Sequence, residues 1–389
     1  MSGTRFDRSS DRSRPRAAEN PFYTENSYSY RVPVWVCWQI VTPPITMSTI
    51  VVIAAFGAAL TQPPRCGMLI AGLAGNNGVT LVAGQIANNR KLVWESSRDG
   101  PKEANLLGCI TQVGQLARRH SFLPFADMAI GGWDVRPVKL GNALYESRIL
   151  DYDLVRQVRD EMDTLPVMPG VWDPDFYGDS QHAGATHVVD APTRAAALQS
   201  LREDIKRFKT EEDVHGHVTV VWSASVERPC EEYETADALL AAIEANDAVN
   251  VSPSLLYAVA AVLEGCSFVN GGSQNTIQPG LVDLCERERA ALQASASAAA
   301  ASDAGPYVLG TDFKAGQTKA KTAIVEYLRA LGLRPHTIAS YNHLGNNDMK
   351  NLLSPRTWKA KERVKTDVFG AWQDDGVIVR ASHGHASLL

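Results

Sequence analysis

The sequence predicts an α/β protein in which short strands alternate with crossover helices, and three observations carry that expectation. Between Cys66 and Arg289, apolar runs of strand length alternate with longer helical stretches. The run Met68-Leu69-Ile70-Ala71 opens into the glycine-rich stretch GLAGNNGVTLVAG over 72–84. VTVVW over 218–222 is a second clear strand. A chain of 389 residues, 45% hydrophobic and 21% charged, is long enough for two domains with a sizeable core.

Taken in order, residues 1–31 are polar and rich in arginine (Arg5, Arg8, Arg12, Arg14, Arg16), with no apolar stretch close behind, so disorder is expected and a cleaved export signal is not. Val32 to Pro64 carries no charged residue and contains ITMSTIVVIAAFGAAL over 45–60. That core is shorter than the roughly 20 residues a spanning helix needs, and Pro43-Pro44 interrupts one side, so we read a buried apolar segment rather than a membrane span.

The stretch after the first strand places Gly72, Gly75 and Gly78 three apart. The dinucleotide fingerprint G-x-G-x-x-G would want glycine at 74 and 77, where Ala74 and Asn77 stand. Glycines still allow backbone N–H groups and a helix N-terminus to approach a pyrophosphate, and Asn76 and Asn77 tolerate unusual φ. Read alone, the turn suits structure and cofactor equally. GGWDV over 131–135 sets Asp134 at a strand end, where an acid either accepts from ribose hydroxyls or sits solvated in a turn.

PSLLYAVAAVLEG over 253–265 starts at a proline beside a serine cap and stops at glycine, which predicts a buried helix; CSFVNG over 266–271 returns as a strand. AALQASASAAAASDA over 290–304 reads as a linker-like insertion. Beyond it TAIVEYLRALGL has helical spacing, and HTIASYNHLGNND reads as a strand entering a polar loop, so a second region begins here.

The net charge of −5 gives no general reason to bind nucleic acid, and an anionic ligand needs a local basic cluster. Lys314, Lys319, Lys321, Lys350, Lys359, Lys361 and Lys365 form one. TDFKAGQTKAK sets lysines around a Gly-Gln-Thr turn, the equipment for holding a phosphate by charge and backbone donors. Lys361 and Lys365 are four apart, so a helix over KAKERVKTDV presents both ammonium groups on one face, as acid–base work over a pocket requires.

Cys37, Cys66, Cys109, Cys230, Cys266 and Cys285 are scattered without a CxxC pair, which predicts reduced thiols. His215/His217 and His383/His385 lack an accompanying Cys or carboxylate cluster, so no metal site is expected. The absence of G-x-S-x-G, GKS/GKT and HExxH removes most support for hydrolase and P-loop readings.

GLAGNNGVTLVAGQIAN, KEANLLGCITQ, GGWDV, VVWSASVER, VSPSLLYAVAAVLEGCSFVNGGSQNT, TDFKAGQTKAK, SYNHLGNND and KERVKTDV, in this order, resemble the eukaryotic form of the myo-inositol-1-phosphate synthase (inositol-3-phosphate synthase) family over about 66–368. The resemblance implies a Rossmann-like NAD-binding domain over 66–317, a partial α+β catalytic and oligomerisation domain over 318–368, and a tail over 369–389 outside it. It implies conversion of glucose 6-phosphate to 1D-myo-inositol 3-phosphate by oxidation at C5, enolisation, intramolecular aldol closure and reduction on tightly held NAD. A cytoplasmic homotetramer serving inositol and phospholipid biosynthesis is implied with it.

By the same comparison the cofactor falls on Gly72, Gly75, Asn76, Asn77, Gly78, Asp134, Ser223, Ala224, Asn270, Gly271 and Asp312. The substrate falls on Gly316, Gln317, Thr318, Asn342, Leu344 and Asn346, with Lys361, Lys365 and Asp348 as the catalytic groups. The sequence departs from the family at Gly271-Gly272-Ser273-Gln274-Asn275-Thr276, at Ser223-Ala224-Ser225-Val226-Glu227-Arg228, and at Ala315, where a lost hydroxyl weakens phosphate binding by about 1 kcal/mol. The family's long C-terminal section, a source of further active-site lysines and an acid, has no counterpart here. An active synthase is therefore weighed against a catalytically inactive NAD-binding fragment or assembly partner of a full-length subunit.

Overall fold

The computed structural model describes residues 65–109, 111–119, 122–295, 305–310, 312–313, 316–343, 350–367 and 378–384, with 116, 316–319, 339–343, 365–367 and 378–384 described by backbone alone. The segments read as disordered (1–31) and apolar (Val32 to Pro64) lie outside the described residues, as do Leu344, Asn346 and Asp348. Among the described residues, no helix is long and apolar enough to cross a membrane.

The first strand, β1 (Gly67–Ala71), leads into α1 (Asn76–Asn89); β2 (Val93–Ser96) and β3 (Gly100–Glu103) form an antiparallel excursion, followed by the short α2 (Gly114–Arg119). The chain returns as β4 (Ala129–Asp134), then α3 (Leu140–Ser147), α4 (Tyr152–Met162) and β5 (Met168–Pro169). Next come α5 (Arg194–Glu211), β6 (Val218–Trp222), α6 (Ala236–Glu244), α7 (Pro253–Leu263), β7 (Ser267–Asn270), α8 (Pro279–Ser295) and β8 (Val308–Leu309). Six strands form one sheet in the order β5-β4-β1-β6-β7-β8, every neighbouring pair parallel.

In order of appearance within that sheet the strands run 3-2-1-4-5-6, the order of a doubly wound dinucleotide-binding sheet. The winding reverses between β1 and β6, and loops leaving the carboxyl ends of those strands diverge to opposite faces and open a crevice. Register sharpens the effect: Ala71 lies opposite both Trp133 and Trp222, so β1, β4 and β6 end together.

A sheet covered on both faces needs apolar side chains in both directions. Leu69 and Ala71 pack into a core with Leu201 and Ile205 of α5 and Leu255 and Val259 of α7. Ile70 points the other way, into Val79 and Val82 of α1, Leu144 of α3 and Val158 of α4. Helix α7 is buried along Pro253–Val262 because the sheet lies on one side and α5 and α8 on others. Its start follows the sequence: the Ser252 hydroxyl accepts from the Leu255 N–H and Pro253 occupies the first turn.

Helix α8 runs to Ser295, so residues 290–295 of the Ala-rich stretch extend a helix rather than form an insertion; alanine favours helix wherever nothing interrupts it. The second region contributes α9 (Gly316–Ala330), β9 (Thr337–His343), α10 (Pro355–Asp367) and β10 (Ile378–Gly384), with β10 parallel to β9. Helix α9 begins at Gly316, six residues before the sequence pattern placed it, so the Gly-Gln-Thr turn is the helix's first turn.

Candidate functional site

The three glycines after β1 do three different jobs. Gly72 has φ +87°, and a Cβ there would lie 2.8 Å from the Ala224 backbone, so glycine is what lets the loops after β1 and β6 touch. Gly75 caps α1 with no side-chain bond, leaving the first-turn N–H groups of the helix without a side-chain partner. Gly78 packs the helix onto the loop: a Cβ there would sit 2.2 Å from the Leu73 carbonyl oxygen. Turn, open helix end and close packing are the three needs that dinucleotide glycines serve, met here at a spacing of three.

Asp134 ends β4 beside this loop. One carboxylate oxygen accepts from the Ala74 N–H at 2.9 Å; the other accepts from the Arg136 N–H at 3.0 Å and from its guanidinium at 3.3 Å. The Arg136 guanidinium also donates to the Ala74 carbonyl. Both backbone polar groups of Ala74, in the glycine loop, are thus held by an ion pair at the end of the neighbouring strand.

The loop after β6 forms the opposite wall. Trp222, Ser223 and Ala224 line a cavity of about 460 Å3 together with Gly72, Asn76 and Asp134. Trp133, Trp222 and Tyr257 meet edge to face at 5.1 and 5.6 Å between ring centres and form an aromatic wall at the strand ends. Trp222 Nε1 and Ser223 Oγ are buried without a hydrogen-bond partner, which makes this wall receptive to a polar ligand. Gly271, whose N–H donates to the Trp222 carbonyl at 3.0 Å, must be glycine because a Cβ would fall 2.2 Å from the Phe313 ring.

Asn270 does not line the cavity. Its amide accepts from the Gly272 N–H at 2.9 Å and donates to the Gln274 carbonyl at 3.0 Å, which shapes the Gly271-Gly272 turn. That turn in turn receives the Asp312 N–H on the Gly272 carbonyl at 2.7 Å. Asp312, at φ +62°, presents its carboxylate to Lys361 Nζ at 3.3 Å; both side chains are 13% exposed, and both residues line the cavity.

Lys361 reaches the cavity because α10 is pinned to the first region. Asn351, fully buried, accepts from the Gly178 N–H at 2.9 Å and donates to the Val226 carbonyl at 2.7 Å. Thr357 ties the start of α10 to the Asn351 carbonyl at 2.6 Å, and Arg356 pairs with Asp179 at 2.9 Å. Lys365 lies one turn beyond Lys361 on the same helix, with its side chain outside the described residues.

Behind Val226, the Glu227 carboxylate is fully buried. It accepts from the Tyr177 hydroxyl at 2.9 Å, the Ser254 N–H at 2.9 Å and the Ser254 hydroxyl at 2.5 Å. Burial pushes this carboxyl above the usual carboxylate range, although those donors pull it back, and it pushes the Tyr177 phenol well up. Tyr177 stacks on Trp172 at 4.2 Å, and both line the cavity. The Cys230 thiol nearby is pushed up to about 12 by burial, too high to be a nucleophile at neutral pH. His215 pairs with Asp213 and His217 with Ser267, so that His-x-His pair does not converge.

Of the residues singled out from the sequence, Gly72, Gly75, Asn76, Asn77, Asp134, Ser223, Ala224, Gly271, Asp312 and Lys361 meet around this cavity. Gly78 and Asn270 shape it from behind. Gly316, Gln317 and Thr318 open α9 and Asn342 lies on β9, each described by backbone alone. Sequence reasoning did not single out Arg136, Tyr177, Tyr257, Glu227 or Asn351. Trp133 and Glu227 lay inside the quoted motifs GGWDV and VVWSASVER, but an aromatic or an acid in a strand-end motif carries no signal of its partner.

Family models described as myo-inositol-1-phosphate synthase match residues 66–297, by an NAD-binding model, and 316–383. The chain belongs to the myo-inositol-1-phosphate synthase family. Inositol-3-phosphate synthase of Citrus paradisi is 37% identical over 323 residues, covering 78% of this chain and 60% of that protein. The human inositol-3-phosphate synthase 1 is 37% identical over 326 residues, 79% of this chain and 55% of that one. The crystal structure of inositol-3-phosphate synthase from Caenorhabditis elegans superposes with a TM-score of 0.74 at 32% identity, over 84% of this chain and 66% of that one. The chain spans about three fifths of the length of the curated relatives it matches. The second family model runs to residue 383, past Val368, where the motif resemblance stops.

Proposed function

We propose that the chain acts as an inositol-3-phosphate synthase, isomerising glucose 6-phosphate to 1D-myo-inositol 3-phosphate on NAD. The observation that carries this reading is Lys361, which enters from the second region into the same cavity as the glycine loop and pairs with Asp312 at 3.3 Å. A family NAD-binding match, an uncapped helix N-terminus and the unpartnered Trp222 Nε1 and Ser223 Oγ all fit a dinucleotide.

Gly72, Gly75 and the α1 N-terminus hold the pyrophosphate, and Asp134, Ser223, Ala224 and Gly271 flank the remainder of the cofactor. NAD held there would supply a hydride acceptor for C5 and, regenerated by the closing reduction, would leave the net reaction an isomerisation. The backbone donors of Gly316, Gln317 and Thr318 at the start of α9 hold the substrate phosphate, with Asn342, Leu344 and Asn346 beside it. Lys361 moves a proton at the C5 oxygen, with Asp312 fixing its ammonium in place. Lys365, one turn along, stabilises the oxyanions of the enolate and aldol stages, and Asp348 serves as a further acid–base group. Assembly as a homotetramer, a cytoplasmic location and a role in inositol and phospholipid biosynthesis belong to the same reading.

The test incubates purified chain with glucose 6-phosphate and NAD and follows inositol phosphate by phosphorus NMR. Product without net NADH supports the proposal. A chain that NAD protects against thermal unfolding but that forms no product is instead a cofactor-binding assembly partner, which mixing with a full-length subunit would reveal.

A further inference from the structure

The ion pair at the end of β4 combines two features that ordinarily belong to different cofactors. In dinucleotide-binding sheets an acid at the end of the strand next to β1 accepts from the adenosine ribose 2′-hydroxyl, whereas an arginine nearby accommodates the 2′-phosphate of NADP. Here Asp134 and Arg136 are both present, two residues apart, and both line the cavity. The Asp134 carboxyl is 6% exposed and Arg136 41%, so the arginine is the open member of the pair.

We propose that Asp134 is the determinant that restricts the cofactor to the form without a 2′-phosphate, and that Arg136 is a latent 2′-phosphate ligand which Asp134 holds neutralised. The inference rests on the dinucleotide reading of the cavity. A 2′-phosphate carries about −1.5 to −2 charge at neutral pH, and beside a buried carboxylate it meets repulsion that one shared guanidinium does not offset. The carboxylate also spends the guanidinium: Arg136 donates to Asp134 at 3.3 Å and to the Ala74 carbonyl, which turns its donors toward the glycine loop. Removing the negative charge therefore does two things at once. It lifts the repulsion and frees Arg136 to form a bidentate pair with the phosphate.

The carboxylate has a second duty, since its other oxygen holds the Ala74 N–H at 2.9 Å. Specificity and loop geometry are coupled through one side chain. Asp134→Asn keeps an acceptor for that N–H while losing the charge; Asp134→Ser keeps a smaller one, and serves if the asparagine variant does not fold.

The experiment titrates NAD and NADP against wild type, D134N, D134S and D134N/R136A, reading the thermal midpoint and the quenching of intrinsic tryptophan fluorescence, to which Trp133, Trp172 and Trp222 of the cavity wall contribute. Wild type is expected to bind NAD and to discriminate against NADP. D134N or D134S should lower that discrimination by about ten-fold or more, through tighter NADP binding, and R136A should abolish the gain. If NADP binds the charge-removed variants no better than wild type, or if the gain survives R136A, the proposal is overturned. A wild type that binds neither dinucleotide overturns the cofactor reading itself, and the two failures are told apart by the wild-type NAD titration alone.

Discussion

Glu227 illustrates how a single buried acid can be both anchored and costly. Three donors converge on its carboxylate, and the side chain is fully buried. Glu227→Ala leaves the Tyr177 hydroxyl and the Ser254 N–H unpaired in the interior and is expected to cost about 2–4 kcal/mol in urea unfolding. Its carboxyl is raised above the ordinary value of 4.5, so just above that value the folded chain binds a proton that the unfolded chain has released. Stability from this group is therefore lost as pH rises from the ordinary carboxylate value toward the folded one. Glu227→Gln, whose amide oxygen serves Tyr177 and the Ser254 N–H while the Ser254 hydroxyl turns to accept, should flatten that part of the stability curve. Lys361 is a residue-scale case of a different kind. Lys361→Ala is expected to lower turnover by ~10^2–10^4-fold while leaving the thermal shift produced by NAD in place.

At the scale of one element, α1 contains two glycines with opposite requirements. Gly78→Ala drives a Cβ to within 2.2 Å of the Leu73 carbonyl oxygen, which belongs to backbone and has nowhere to go. The substitution should cost more than about 2 kcal/mol and weaken NAD binding, because the helix end moves away from the loop. Gly84 lies less than two turns further along with nothing within 4 Å of a Cβ. Gly84→Ala should stabilise by about 0.5–1 kcal/mol through helix propensity alone. Paired equilibrium unfolding curves check both signs in one helix and separate the packing role of Gly78 from a general preference for alanine.

For the molecule as a whole, the arrangement depends on α10 being held against loops that belong to the sheet region. Asn351 makes two of those bonds from full burial, to Gly178 and Val226, and neither partner is near it in sequence. Asn351→Ala should leave NAD binding intact, since no part of the glycine loop depends on it. Turnover is expected to fall on the order of 100-fold, as Lys361 shifts by an ångström or so from the bound substrate. Single-turnover rates set beside NAD titrations decide this, and a parallel loss of both would show that the variant has simply unfolded.

Alternating apolar strands and helices, the cap at Ser252 and the run of 253–263 specified the α/β class, because local spacing and chain stiffness depend only on neighbours in sequence. The glycines at 72, 75 and 78 were equally visible, although the spacing alone did not say which would turn, cap or pack. The helical state of 290–295 was not legible, because serine-studded alanine permits either helix or coil until it is continued from a docked helix. Partners separated by long loops could not be read at all: Ala74 with Asp134, Asp312 with Lys361, and Asn351 with Gly178 and Val226 meet only after the chain has closed. Local spacing was enough for the α/β class, the strands at 67–71 and 218–222, the helix at 253–263 and the family motifs near the strand ends. The tertiary structure decided which oxygens and nitrogens face one another there, because long-range contact is set by packing of the whole sheet and its helices rather than by any local preference.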